Sequence, residues 1–465
     1  MKKYLFYIIL SLFSISSFSQ GSASPYSFYG IGSLNFNGTT ENRAMGRLSI
    51  LTDSIHMNFR NPASFTGNDL KAFNNEGRLV KFTVSVGNSD INLKTNNASA
   101  KSSTTNFDYL GLSLPMGKFG VGFGLMPHSS IGYKLESLDD DDLIKYKYSG
   151  KGGLNKVLLG FAYQFSESLA FGINFDYNFG NIQNNAIEFL YDDNLDPLDY
   201  HSREANRSDL SGFNYNMGLT FKPMLSDLIQ LHSAITYSPD YNLNSENFRT
   251  FSSIVINPNS GEEFPINEIN VDLESLNLKE TSLSMPSKTS IGVGVGKLKK
   301  WFLGTEYTFV NTSVFKSDLI NIDNTSYEDG STISFGGYFI PDYSSFKNVL
   351  KRIVYRSGIY FEKTGSTLNW VRRTSTSGSS VDNTVSQSSW NGDKLDGTGA
   401  SGYTLDTTKA CIMFMDFEWL GMGSVRCGFV IDGKFIVAHT FLNANNLDMI
   451  QCGILLKRKK HSFIG

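Results

Sequence analysis

The chain has little cysteine and little charge, and each shortage argues against a class of protein. Among its 465 residues, cysteine occurs as Cys411, Cys427 and Cys452, and the first 410 residues have none. An odd number at wide spacing provides neither a disulfide framework nor a zinc-binding pattern. Charged residues make up 18% of the chain, against about 25% in average proteins. The formal net charge of −3 argues against a nucleic-acid partner, because such binders show a clear basic excess.

Long hydrophobic runs are also scarce. The mean hydropathy is −0.19, and only the N-terminus approaches the roughly 20 consecutive apolar residues that a transmembrane helix needs. A bundle of membrane helices is therefore excluded. A membrane β-barrel is compatible with this composition, because its strands alternate apolar and polar residues and dilute the hydrophobic signal.

The chain also lacks a recognisable catalytic constellation. Its six histidines are scattered, and none forms a pair at metal-ligand spacing such as HExxH. We therefore expect no enzymatic activity, no catalytic or metal-binding residue and no cofactor.

The N-terminus has the order of a secretory signal peptide over residues 1–20. Lys2 and Lys3 precede the apolar stretch Tyr4–Phe13, and small polar residues follow up to Gln20. We expect cleavage near residues 19–21, with an uncleaved anchor as the alternative. A lipoprotein anchor is not expected, because no cysteine follows the apolar stretch.

Alternation of apolar and polar residues dominates from about residue 78 to 365. From Leu169 to Gly180, one face carries Leu, Phe, Ile, Phe, Tyr and Phe, and the other carries Ala, Gly, Asn, Asp, Asn and Gly. One wholly apolar face and one small or polar face are typical of a strand that separates lipid from a lumen. A soluble sandwich, the alternative, would place charged residues on its outer face.

Eleven strands are predicted in this region, and the connections between them alternate between long and short. The predicted strands are 79–88, 105–115, 118–128, 155–165, 168–180, 211–222, 228–238, 286–296, 301–311, 330–340 and 350–362. Their lengths suit the ~9 to 11 residues that cross a bilayer. We therefore predict an all-β fold, a transmembrane antiparallel barrel. Single-chain bacterial barrels close with an even number of strands, so closing strands are expected after residue 363.

Residues 21–77 consist of short apolar pieces interrupted by glycine and proline. Irregular backbone at membrane depth is tolerated only inside protein or beside a wet cavity. We therefore predict a plug inside the barrel, with a disordered periplasmic leader as the alternative.

Two short motifs in this segment resemble those of the FadL/OMPP1 family of outer-membrane transport proteins, over roughly residues 24–365. The motif residues are Ala44, Met45, Gly46, Asn61, Pro62 and Ala63. Arg47 departs from the family pattern, which usually has a small residue there. The resemblance implies a 14-stranded barrel with an N-terminal plug, located in the outer membrane after removal of the signal peptide. The richness in Asn, Ser, Phe and Tyr is similar to that of members from the Bacteroidota.

Polar residues at inward positions of the predicted strands are expected to line the lumen against the plug. They are Asn174, Asp176, Asn178, Asn214, Asn216, Glu306, Arg356 and Glu362. The alternative for these residues is that they only form hydrogen bonds with the plug.

The resemblance implies uptake of hydrophobic small molecules, such as long-chain fatty acids or aromatic compounds, past a plug that shifts around Asn61–Ala63. An accessory role in protein export, similar to type IX secretion, is the alternative. The implied partners are outer-membrane lipid, a hydrophobic ligand and the outer-membrane assembly machinery, together with secretion-system proteins in the second case.

Near residue 370 the composition changes, and Trp370, Trp390 and Trp419 all lie at or after this point. Residues 370–450 resemble a β-rich module of tailed-phage structural proteins. We predict a flexible or extended linker over residues 366–409 and a β-rich C-terminal module over residues 410–465. The module is either a genuine fusion or the mark of a non-functional chimera, and it either closes the barrel or forms an appendage, which we favour.

Overall fold

A computed structural model provides the fold. It describes residues 24–28, 30–52, 56–66, 80–94, 99–139, 141, 143–192, 194–257, 260–317, 327–364, 367–376, 379–406, 412–417 and 424–442. The predicted signal peptide, residues 1–20, lies outside these ranges.

Strands make up most of the described residues and the helices are few and short, which confirms the predicted all-β class. The strands are β1 Ser33–Leu34, β2 Lys81–Lys94, β3 Ser99–Met116, β4 Phe119–Pro127, β5 Ser129–Leu138, β6 Ile144–Gln164, β7 Leu169–Glu188, β8 His201–Phe221, β9 Gln230–Ser238, β10 Tyr241–Ile256, β11 Glu263–Asn270, β12 Glu280–Met285, β13 Lys288–Lys297, β14 Trp301–Val310, β15 Lys316–Ser317, β16 Gly330–Phe339, β17 Tyr355–Thr364, β18 Thr367–Thr376, β19 Ser379–Ser386, β20 Ile412–Phe417, β21 Val425–Ile431 and β22 Lys434–Phe441. The helices are α1 Thr40–Ala44 and α2 Val349–Arg352, with 3₁₀ turns at Pro25–Phe28, Pro62–Phe65, Thr312–Val314 and Gln387–Ser389. No helix within the described ranges has the length and apolar character needed to cross a membrane.

One antiparallel series of strands forms the wall of the molecule. Its order is β2, β3, β4, β6, β7, β8, β9, β13, β14, β16, β17, β18 and β19. Three further strands extend the wall beyond the ends of shorter strands. β5 follows β4 and pairs with β6, and β10 follows β9 and pairs with β8. β12 precedes β13 and pairs with β10. All eleven predicted strands are confirmed, as β2, β3, β4, β6, β7, β8, β9, β13, β14, β16 and β17.

Strands β6, β7 and β8 are longer than the alternation predicts, with 21, 20 and 21 residues. At ~3.3 Å per residue each spans roughly 65 to 70 Å, about twice what a tilted membrane strand needs. Their extra length lies at the end of the wall with the long connections, so the sheet extends beyond the bilayer there.

The outward face of the wall forms an apolar belt. It includes Phe82, Val84, Phe123, Phe161, Phe175, Tyr177, Phe213, Leu219, Ile235, Ile291, Val293, Leu303 and Tyr307, all exposed. Inward neighbours such as Asn174 and Asp176 are buried. An apolar exterior around a polar, filled interior is the arrangement of a membrane barrel.

Residues 36–52 and 56–66, which we call the inner segment, lie on the concave side of the wall. Met57 and Phe59 pack against β3, Phe65 against β4 and β6, and Ile50 against β13 and β14. Met45 packs against β16 and β17. Since strands from both halves of the series contact this segment, the wall curves around it. Its role as a plug stays a prediction.

Residues 390–405 and β20–β22 form a C-terminal unit against the outward face of β17 and β18. Phe361 and Trp370 are buried there against Trp390 and Phe429. The predicted linker, residues 366–409, contains β18 and β19, which extend the wall. Their serine- and threonine-rich sequences resemble a loop, but pairing with a neighbouring strand satisfies their backbone groups. The division into domains stays a prediction.

Candidate functional site

The inner segment begins with α1, whose start is set by a reciprocal cap. The Asn42 backbone N–H donates to the Thr39 hydroxyl at 3.4 Å, and the Thr39 N–H donates to the Asn42 side chain at 3.2 Å. After α1, Gly46 and Arg47 both adopt left-handed backbone conformations, with φ of 68° and 71°. This conformation suits glycine and is unusual for arginine. The turn buries Met45 and Ala44 against the wall.

The second motif forms a 3₁₀ turn. The Asn61 side chain accepts a hydrogen bond from the Ala63 N–H at 3.1 Å, and Pro62 takes the first position of the turn. Proline is favoured there because its missing N–H would have no partner. Asn61 is fully buried.

Both motifs lie directly against glycines of the wall. A Cβ atom on Gly336 or Gly358 would overlap with the backbone of Met45 and Gly46. A Cβ atom on Gly172 would overlap with the backbone of Pro62 and Ala63. The inward glycines therefore allow backbone to approach backbone, which fixes the depth of the inner segment.

Glu306 of β14 is the most heavily bonded carboxylate of the interior. It accepts hydrogen bonds from the Ser49 N–H at 2.6 Å, the Ser49 hydroxyl at 2.8 Å and Arg60 Nη2 at 2.9 Å. The side chains of Arg60 and Glu306 are 8% and 2% exposed. The charges are thus paired where water has little access, and the Arg60 guanidinium also donates to the Arg47 carbonyl.

Two further arginines of the inner segment pair with other strands. Arg43 Nη1 lies 3.2 Å from Asp108 Oδ2 on β3, and Arg47 Nη1 lies 3.7 Å from Glu362 Oε1 on β17. The guanidinium carbons of Arg43, Arg47 and Arg60 lie 5.5 to 5.7 Å from the centre of the Phe36 ring. We call these three residues the arginine anchors, because they tie one segment to three separate parts of the wall.

A second polar group lies on β6, β7 and β8. Lys156 Nζ is 3.0 Å from Asp176 Oδ2, which also accepts from Asn214 Nδ2 at 3.2 Å. Asn178 Nδ2 donates to Asn214 Oδ1 at 2.6 Å. Asp176, Asn178 and Asn214 are buried and Lys156 is half-buried. Together they join three neighbouring strands on the inner face.

The other predicted lumen residues contact the inner segment. Asn174 donates to the Phe59 carbonyl at 3.3 Å, and Asn216 donates to the Arg60 carbonyl at 3.1 Å. Arg356 Nη2 lies 3.4 Å from His56 Nε2, and Glu362 holds Arg47. Whether these residues serve a transported ligand stays a prediction.

Sequence reasoning missed Arg43, Arg60, Asp108 and Lys156. Arg43 and Arg60 directly precede the two motifs, and this position is the only feature of the sequence that points to them. Their partners lie tens to hundreds of residues away along the chain, which spacing alone does not reveal.

The outer part of the interior is filled by an apolar cluster. Phe28 and Ile31, from the chain before β1, pack there among residues of the prolonged strands. The buried wall members are Ile131, Tyr133, Leu154, Ile182, Leu210, Leu243, Leu283 and Met285. We call this group the outer cluster.

The model of one protein family, BamG, matches residues 1–373. The chain belongs to the BamG family. The BamG match takes in the inner segment and all strands from β2 to β17, and it ends three residues after Trp370. The family and the apolar belt identify an outer-membrane protein. No curated protein matches the chain.

Several solved structures are similar to this BamG-family chain. The Ralstonia pickettii toluene transporter TbuX is 15% identical, with a TM-score of 0.45, over 76% of this chain and 93% of TbuX. The Pseudomonas putida toluene transporter TodX is 15% identical, with a TM-score of 0.44, over 76% and 92%. A Pseudomonas aeruginosa FadL homologue is 12% identical, with a TM-score of 0.45, over 75% and 89%.

Proposed function

We propose that the chain is a sealed outer-membrane barrel that acts as an accessory component in the assembly of outer-membrane proteins. The observation that carries the proposal is the filled interior. The inner segment and the outer cluster occupy successive parts of the described lumen. The family name supports the second half of the proposal, because Bam denotes the machinery that assembles outer-membrane β-barrels.

The arginine anchors support a segment that stays in place. Displacing it would break three ion pairs, each with a carboxylate on a different strand. The Arg60–Glu306 pair is the most deeply buried of the three, with side chains 8% and 2% exposed. Removing one partner of such a pair costs about 3 to 5 kcal/mol, because the other charge stays buried without compensation. A transport passage that opened by displacing the inner segment would incur part of this free-energy cost at each opening.

A depletion experiment tests the assembly role. Cells depleted of the chain are expected to accumulate unfolded outer-membrane proteins, measured by their loss of heat-modified gel migration. The purified chain is expected to give no single-channel conductance in planar bilayers. Normal assembly in depleted cells would contradict the proposal.

Uptake of hydrophobic small molecules, such as long-chain fatty acids or aromatic compounds, is the second candidate. The outer cluster favours it, because apolar and aromatic side chains are the usual lining of sites for hydrophobic ligands. Entry would require the ligand to displace Phe28 and Ile31. Asn61→Ala is then expected to slow entry of a hydrophobic substrate into proteoliposomes, and an unchanged rate would count against this candidate.

Two finer expectations accompany the proposal. Intact mass of the protein extracted from outer membranes is expected to show removal of about residues 1–20. The same measurement tests whether residues 374–465, beyond the family match, are retained. Loss of these residues would support the chimera hypothesis for the C-terminal unit.

A further inference from the structure

The connection between β16 and β17 is longer than the neighbouring connections at the same end of the wall. The neighbouring connections 117–118, 165–168 and 298–300 are short turns, which in outer-membrane barrels mark the periplasmic end. Residues 340–354 form a longer connection that contains α2. We call residues 297–300 and 341–354 the periplasmic patch.

The periplasmic patch presents apolar side chains to solvent. Phe346 is 95% exposed, Val349 64% and Leu350 49%, while Leu298 on the adjoining turn is 73% exposed. A phenylalanine this exposed is unfavourable in water. The patch therefore favours an apolar surrounding that the chain itself does not supply within its described residues.

Hydrogen bonds hold the patch in one shape. The Asp342 N–H donates to the Lys351 carbonyl at 2.8 Å, and the Leu350 N–H donates to the Asn348 side chain at 3.0 Å. Lys300 Nζ donates to the Pro341 carbonyl at 2.5 Å, which joins the two parts of the patch. The exposure of Phe346 is thus imposed by an ordered loop.

The charge of the patch is strongly positive. Its basic residues are Lys297, Lys299, Lys300, Lys347, Lys351 and Arg352, against the single acidic residue Asp342. Asp342 is engaged with the Ser344 N–H at 3.1 Å and the Ser344 hydroxyl at 2.9 Å. The positive charges of the patch are therefore opposed by only one negative charge within it.

The patch is continuous with the apolar belt. Strand β16 ends at Phe339, whose side chain is exposed on the outward face, and β14 begins at Trp301 beside it. The longer part of the patch begins one residue after Ile340, and its shorter part ends one residue before Trp301. It therefore lies at the level where the periplasmic leaflet meets water.

We propose that the periplasmic patch binds anionic phospholipid headgroups of the periplasmic leaflet, with Phe346, Val349 and Leu350 inserted below them. Clustered lysine and arginine attract anionic lipid, and apolar side chains beside them enter the headgroup boundary. A membrane surface satisfies both features of the patch at once. The inference does not depend on the assembly role.

Hydrogen–deuterium exchange of the full chain in nanodiscs tests the inference. Residues 341–354 are expected to exchange on the order of tenfold more slowly in discs with phosphatidylglycerol than in discs of phosphatidylcholine alone. The triple variant Lys347→Glu, Lys351→Glu and Arg352→Glu is expected to lose this difference. Phe346→Ser is expected to lose protection in both lipids.

Matched controls are available at the opposite end of the wall. Lys101, Lys134 and Lys151 are exposed there, and their combined replacement by Glu is expected to leave the lipid dependence of residues 341–354 unchanged. Heat-modified gel migration checks that each variant is folded. Equal exchange in both lipids would overturn the inference, as would protection that appears only when a periplasmic protein fraction is added.

Discussion

At the scale of single residues, Arg47 adopts a left-handed backbone conformation that is unusual for arginine, and its side chain contacts two residues of β17. Its φ of 71° favours glycine, yet its guanidinium lies 4.2 Å from the centre of the Tyr360 ring and pairs with Glu362. The departure from the FadL/OMPP1 pattern at this position therefore has a structural role in this chain. The contacts with β17 offset a backbone conformation that glycine would adopt more easily.

Glu306→Gln is expected to loosen the inner segment. The change leaves Arg60 buried without its charge partner, which costs about 3 to 5 kcal/mol. The urea midpoint for loss of heat-modified migration is expected to fall, and brief conductance events are expected in planar bilayers. Asp209→Asn is the control, because its pair with Arg207 is largely exposed. Similar behaviour of the two variants would contradict the anchoring role of Glu306.

Cys427 is expected to be chemically inert in the folded C-terminal unit. The residue is fully buried, and burial raises the pKa of its thiol to about 12. At pH 8 the thiol is therefore protonated, and the thiolate is the reactive form. In a Cys411→Ser, Cys452→Ser background, maleimide labelling is expected to be slow until denaturant is added.

The control for Cys427 places a thiol on the exposed face of the same unit. Ile412 is 67% exposed, so Ile412→Cys, made with Cys427→Ser in the same background, is expected to react quickly without denaturant. Fast native labelling of Cys427 would show that the C-terminal unit is not packed as described.

At the scale of strands, glycines on the inner face decide how the wall meets the inner segment. Gly358→Ala is expected to displace the inner segment, because the new Cβ atom would overlap with Gly46. Gly330→Ala is the matched control on the paired strand β16, since its Cβ atom would meet only the Lys363 carbonyl, at 3.7 Å. Protease cleavage near residue 46 is expected to increase for Gly358→Ala alone, and equal cleavage would contradict the close contact.

The strands were predictable where lipid imposes alternation, and less so elsewhere. Within the bilayer, β7 and β8 must place apolar residues outward, so their pattern can be read directly. Above it, half-buried polar residues such as Asn181 and Asn206 occur on the same strands, and the alternation is no longer clear in the sequence. Strand β19 was not predicted as a strand, because its serines and threonines need a paired neighbour to form a strand.

The candidate site was predictable in part for the same reason. Glu306 and Asn174 stand at inward positions of clear strands, so the alternation predicts where they face. The pairing of Glu306 with Arg60 depends on the folded wall, which brings together residues far apart in the chain. Irregular backbone around Arg60 has no periodicity that would indicate where its side chain points.

At the scale of the whole molecule, the C-terminal unit covers wall strands whose outward residues would otherwise meet lipid. Truncation after Ser389 is expected to expose Trp370 to lipid. With Trp301→Phe in the truncated chain, Trp370 is the remaining tryptophan, and brominated lipid is expected to quench its fluorescence strongly. In the full chain with Trp301, Trp390 and Trp419 replaced by Phe, weak quenching is expected. Equal quenching would contradict the packing of the unit on β18.

The arginine anchors also set an order of events during biogenesis. The inner segment leaves the export channel early, but Asp108, Glu306 and Glu362 follow it by up to some three hundred residues. The segment can gain its last partner only when β17 has been laid down. Complete seating of the inner segment therefore reports that the wall is nearly finished. A chain cut short before β17 would lack the Glu362 partner of Arg47, so its N-terminal segment would be held by fewer ion pairs and be easier for quality-control proteases to reach.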